Sequence, residues 1–152
     1  MTITRAQAET ELVSRCKKKM QLVDMVITVV GVNADLSGPM ATALRTCGVT
    51  PASPITVTDS DLGDLPDDSI DEFFDRAELR LLENISGNID LTDIQVGPRR
   101  ESLSQLSDQL EKLIVQKTEK IANTYGDSSG NLTPGVISLD FAQKYDDTFT
   151  YD

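Results

Sequence analysis

Ser69-Ile70-Asp71-Glu72-Phe73-Phe74-Asp75-Arg76-Ala77-Glu78-Leu79-Arg80-Leu81-Leu82-Glu83-Asn84-Ile85-Ser86-Gly87 carries the clearest helix grammar in the chain. Ser69 suits an N-cap, and Glu72, three residues on, completes a capping box. Asp71 and Asp75 place negative charge on the first turns, where backbone N–H groups lack helical partners. Ile70, Phe73, Phe74, Ala77, Leu81 and Ile85 recur at steps of three and four and predict one buried face, with Gly87 as the stop.

Toward the C-terminus, residues 90–97 read as a short extended link. A further helix starts at Ser102, with Gln105 completing a second capping box, and stops at Gly126. Leu103, Leu106, Leu110, Leu113, Ile114 and Ile121 trace its seam, close to a heptad step of 3.5. A stripe that narrow suits packing between helices or between subunits. Beyond Gly126 the composition shifts to Gly, Ser, Asn, Thr and Pro, and helical periodicity ends. Residues 127–152 are therefore expected to form an extended arm. In it, Val136-Ile137-Ser138-Leu139-Asp140-Phe141 alternates like a strand that adds to a partner's edge, and Phe141, Tyr145, Phe149 and Tyr151 are aromatic anchors. Val136, Ile137, Leu139, Phe141, Tyr145, Phe149 and Tyr151 are the expected partner-binding residues.

Toward the N-terminus, Asp35 or Ser37 caps a short helix with Pro39 near its first turn, closed by Gly48. Residues 49–68, rich in Pro, Thr, Ser and Asp, read as an extended connector over the surface. Before it, a capping box at Thr4-Arg5-Ala6-Gln7 opens a helix over residues 5–30 with Leu12, Cys16, Met20, Val23, Ile27 and Val30 on one stripe. Its β-branched end leaves helix and strand both open for residues 22–32, with helix preferred. The expected fold is all-α: a small bundle of about four helices over residues 1–126, with a long connector loop and the extended arm.

Composition narrows the functions. The chain has 152 residues, no tryptophan and 39% apolar residues, enough for one modest core built on Leu, Ile, Val and Met. Its net charge of −11 repels phosphate backbones and anionic lipid, so a basic groove for nucleic acid is not expected. Arg15, Lys17, Lys18 and Lys19 form the one basic run, which suits a solvated helix flank or a salt-bridging surface for an acidic neighbouring subunit better than a DNA contact. Cys16 and Cys47 fit neither a disulfide framework nor a zinc spacing and read as buried free thiols. No apolar run approaches a bilayer span and no secretory leader pattern opens the sequence, so a soluble, non-secreted protein is expected.

Histidine is absent, which removes the usual general base of serine, cysteine and metal-histidine mechanisms. The acids Asp59, Asp61, Asp64, Asp67, Asp68, Asp71, Glu72, Asp75 and Glu78 face one base, Arg76, and raise the question of a divalent cation. Tested as a calcium loop from Asp59, the segment lacks glycine at the sixth place and carries Ile70 where the bidentate glutamate belongs. No glycine-rich phosphate loop is present, and Pro51 and Pro54 interrupt a helix-turn-helix reading after residue 50. The expectation is a non-catalytic protein without cofactor or metal.

The stretches from Asp71 to Asn88 and from Asp93 to Leu106, with Asp93-Ile94-Gln95-Val96-Gly97-Pro98-Arg99-Arg100-Glu101-Ser102 between helices, resemble the head-to-tail adaptor (connector) family of tailed bacteriophages. The similarity spans roughly residues 40–125. It implies a helical subunit of a homo-oligomeric ring, commonly of twelve, in the neck under the portal. The C-terminal segment would reach the portal protein, a neighbour, or a stopper or tail protein. It further implies a protein made in the host cytoplasm and residing in the virion, where DNA passes the channel without specific binding. An acidic helical regulator that mimics DNA is the rival binding function, and a carboxylate-based metalloenzyme the rival chemistry.

Overall fold

The computed structural model describes residues 2–93 and 100–126, and the side chains of those up to 89 and from 105 onward. Among the described residues five helices follow one another: α1 (Arg5–Leu22), α2 (Ala34–Thr46), a short α3 (Asp59–Gly63), α4 (Ile70–Asp93) and α5 (Arg100–Tyr125). A 3-10 turn, Asp67–Ser69, leads into α4, and no strand occurs among the described residues. The protein is all-α.

α4 is the central element, packed against α1, α2 and α5. Phe73, Ala77, Leu81, Ile85 and Ile89 are buried along it, each one turn from the last, with Leu82 buried beside Leu81. A buried side chain of this size contributes about 1.5–3 kcal/mol, so this one stripe holds three neighbours. α1 supplies Ala8, Leu12, Cys16 and Met20, and α2 supplies Leu36, Met40, Ala43 and Leu44. α5 adds buried Leu110 and Ile121, while Leu106, Leu113 and Ile114 are half-buried against the core. Leu103 falls within α5, but its side chain lies outside the described residues.

Several boundaries differ from the sequence reading. α4 runs past Gly87 to Asp93, so the expected extended link is helical over residues 90–93. Glycine inside a helix costs about 1 kcal/mol. Burial of Ile89 one turn beyond Ile85 outweighs that. α5 opens at Arg100 instead of Ser102, and α2 is capped by Asn33, whose side-chain oxygen accepts from Asp35 N–H at 3.0 Å, instead of by Asp35 or Ser37.

The connector over residues 49–68 is not a simple surface loop. Thr58 and Asp61 form a reciprocal capping box that starts α3, and Val57, Leu62 and Leu65 are buried in the core. The clearest correction concerns α1, which ends at Leu22 and not near residue 30. Asp24 takes φ 55°, Met25 N–H bonds Met20 O at 3.0 Å, and Asp24 N–H bonds Gln21 O at 3.4 Å. This double closure is a Schellman stop. Residues 23–33 are then neither helix nor strand.

The arm residues Val136, Ile137, Leu139, Phe141, Tyr145, Phe149 and Tyr151 lie outside the described residues.

Candidate functional site

α1 carries two charged residues on its core face ahead of Leu12. Glu9 is fully buried and Arg5 nearly so. Arg5 Nε donates to Glu9 Oε1 at 2.8 Å, one helical turn away. The rest of the guanidinium is engaged as well: Nη1 donates to Val57 O at 2.9 Å, and Nη2 donates to Ser37 Oγ at 2.8 Å and Asn33 O at 3.3 Å. Taking two charges out of water costs several kcal/mol each unless their hydrogen-bonding capacity is met. Here it is met by α2, the 49–58 segment and the chain before α2.

Glu9 also holds that chain. Asn33 N–H donates to Glu9 Oε1 at 3.0 Å, and Gly31 N–H donates to Oε2. Gly31 adopts φ 89°, a conformation that side chains with a Cβ rarely take. Nearer α1, Asn33 Nδ2 donates to Val26 O at 2.7 Å and Val26 N–H donates to Asp35 Oδ2 at 2.9 Å. A segment without regular structure is thereby clamped at both ends.

Between the clamps Met25 and Ile27 pack against the core, whereas Val26, Thr28, Val29, Val30 and Val32 are exposed, Val32 to 73%. Among the described residues, seven large apolar side chains are exposed, and five of them, Leu22, Val26, Val29, Val30 and Val32, lie within residues 22–32. Ile55 and Val115 are the other two. Scattered single exposures are ordinary, but a contiguous group is a feature of surfaces that meet partners.

The acidic run is largely engaged inside the fold. Asp59 Oδ1 accepts from Arg5 N–H at 2.6 Å. Asp61 accepts from Ala52 N–H, Thr58 N–H and the Thr58 hydroxyl at 2.7–2.9 Å. Those hydrogen bonds, the Thr58 hydroxyl foremost, hold the Asp61 carboxyl below the usual carboxylate range. Glu72 pairs with Arg76, Asp75 with Arg15 and the Tyr125 hydroxyl, and Glu78 with Arg15 and Lys117. Lys117–Glu78 at 2.6 Å and Tyr125–Asp75 at 3.1 Å fasten α5 to α4. Asp64, Asp67, Asp68 and Asp71 are exposed. Among the described residues, no three Cys, Asp or Glu side chains converge as metal ligands.

Arg15 is thus a structural cation, also lying 5.3 Å from the Phe74 ring centroid. Lys17 and Lys18 are exposed. Cys16 is buried and Cys47 half-buried, both as free thiols, and burial pushes both up to about 11, with Glu78 and Glu72 respectively adding to it. The seam residues Leu110 and Ile121 are buried within the fold on α5, which packs against α4. An open groove of about 540 Å³ is bordered by Met25, Asp35, Pro39, Glu83 and Asn88. No helix among the described residues is long and apolar enough to cross a membrane.

The sequence reading missed the Arg5–Glu9 pair. The signal was available, because stepping back from Leu12 by helical spacing puts Glu9 and Arg5 on the apolar stripe. No protein-family model matches the chain, and neither a curated protein nor a solved structure matches it.

Proposed function

We propose that this chain is a structural protein that acts by holding other protein chains, and within that class a head-to-tail adaptor subunit in the neck of a tailed bacteriophage. The observation that carries the reading is the concentration of exposed apolar side chains in residues 22–32, on a segment fixed near both ends by hydrogen bonds to Asp35 and to the buried Glu9. Fixing a loop before it meets a partner removes part of the ordering cost of association. The resemblance of the segment from Asp71 to Leu106 narrows the class to the adaptor. Subunits would form a homo-oligomeric ring under the portal protein, with a stopper or tail protein on the other side.

The net charge of −11 suits a channel past which DNA slides without adhering. A regulator that mimics DNA has less support, since Asp59, Asp61, Glu72, Asp75 and Glu78 are occupied by partners within the fold. The reading places the protein in the virion after synthesis in the host cytoplasm.

Light scattering on the eluted protein, with electron microscopy of the same fractions, tests this. A ring, formed alone or on addition of portal protein, is the expected result. A species that stays monomeric at every concentration, with portal present, overturns it.

A further inference from the structure

The positive charge that the fold leaves without an ion pair falls on the end of α1 and on α5. Arg5, Arg15, Arg76 and Arg80 pair with carboxylates, and Lys117 pairs with Glu78. Among the described residues, Lys17, Lys18, Lys19, Lys112 and Lys120 have no such partner. Lys19 and Lys112 border an open groove of about 400 Å³ between α1 and α5, together with Leu106, Gln109, Leu110 and Leu113. Leu106, Leu113 and Lys19 are half-buried, and α5 packs on α4, which leaves this flank open. Leu22, 54% exposed, follows Lys18 and Lys19 by one helical turn, so the groove's α1 side leads into the exposed apolar group of residues 22–32.

α5 carries the complement on another flank. Asp108, Glu111, Val115 and Glu119 recur at steps of three and four and are all exposed. Among the described residues, none of the three acids has an ion pair, and Val115 stands 56% exposed between them. By helical spacing this stripe lies roughly a third of the way around α5 from Leu106, Gln109 and Leu113. One helix thus offers a lysine-bordered apolar groove on one side and an acidic stripe with an apolar centre on the other. We propose that the groove receives the Asp108–Glu119 stripe of a second copy of this chain.

The contact is a helix laid in a groove, with Val115 against Leu106 and Leu113 and the acids toward Lys19 and Lys112. Opposite charges bring the two surfaces together and fix their orientation. Lys19, half-buried without a counter-charge, gains one. DNA or anionic lipid would supply charge but no apolar row for the leucines, and both are repelled by the net charge of −11. Groove and stripe are different surfaces, so the contact is head-to-tail and closes into a ring when the rotation closes. It rests on the proposed function for the premise that copies of this chain meet, and it names where they do.

Light scattering over a concentration series, on full-length Lys19→Glu, full-length Glu111→Lys and their equimolar mixture, tests the contact. Each variant alone sets like charges against each other and should raise the concentration needed for association roughly tenfold. The mixture should return to wild-type behaviour, because the altered groove of one variant meets the altered stripe of the other, a rescue that a folding defect does not give. Should Lys19→Glu melt early, Gln109→Glu, at an exposed groove position, takes its place. Wild-type association in both single variants, or a mixture as impaired as its components, overturns the contact. Loss of duplex DNA binding in Lys19→Glu with association unchanged also overturns it, since the lysines would then serve phosphate. Rings that persist in both variants leave the adaptor reading standing and remove the contact. A rescued mixture that stops at small oligomers supports the contact and removes the ring, and wild type that stays monomeric at every concentration removes both.

Discussion

The two long connections of the bundle reverse what their compositions suggest. Residues 47–69 are rich in Pro, Ser, Thr and Asp, yet they bury Val57 completely and Leu62 and Leu65 nearly so, beneath a short capped helix. Residues 23–33 include Met, Ile and five valines, yet Val30 and Val32 stand 56% and 73% exposed. Both are held by carboxylates: Asp61 gathers the first, Glu9 the second. The difference lies in where the apolar side chains go once the main chain is fixed. In the polar connection they complete the chain's own core. In the apolar one Met25 and Ile27 pack inward, but Val26, Val29, Val30 and Val32 are left facing outward, a group that the proposed partner would cover.

Breaking the clamp on the apolar connection should have the largest effect. Glu9→Ala leaves Arg5 buried without its counter-charge and releases Gly31 and Asn33, which should lower stability by about 3–5 kcal/mol. Urea denaturation checks it, and a loss under about 1 kcal/mol would mean that the clamp does not hold the fold together. Leu62→Ala, which empties a core position under the polar connection, should cost about 2–3 kcal/mol by the same measurement. An exposed-loop cost near zero would show that this connection is not part of the core.

Asp61→Asn should cost about 1–2 kcal/mol, since it weakens acceptance from Ala52 and Thr58. The sign with pH follows from the depressed Asp61 pKa. Its contribution is fully present above the unfolded value near 4 and is lost as pH falls through the lower folded value. Thermal midpoints between pH 7 and pH 3 should therefore converge for wild type and Asp61→Asn, and a constant gap would contradict the assignment. The smallest effect is expected at Val32→Thr, within about 0.5 kcal/mol of wild type, because an exposed side chain contributes little to the stability of the isolated chain. A larger loss would place Val32 in the core and dissolve the contrast between the two connections.

Much of the bundle was legible from local grammar. The step of three and four from Ile70 to Ile85 gave the buried face of α4, Gly48 with its φ of 85° stops α2, and Gly126 with its φ of 80° stops α5. These signals are local, so a sequence window contains them. The end of α1 was not legible, because an aspartate at residue 24 takes the left-handed turn that glycine usually marks, and residues 26–30 then look like a continuing apolar stripe. α3 was announced by Thr58 and Asp61 but was masked by the surrounding prolines and serines. The clamp depends on Glu9 meeting Gly31 and Asn33, and Arg5 meeting Val57. Those partners are far apart in sequence, and periodicity does not report them.

The outward-facing connection is tested most directly by hydrogen exchange at the amides of Ile27, Thr28, Val29 and Val30 in the full-length protein, followed as concentration rises through assembly. If this edge is reserved for a neighbour, the four amides exchange rapidly in dilute subunits and become protected as the assembled fraction grows. Equally rapid exchange in subunit and assembly would contradict that role.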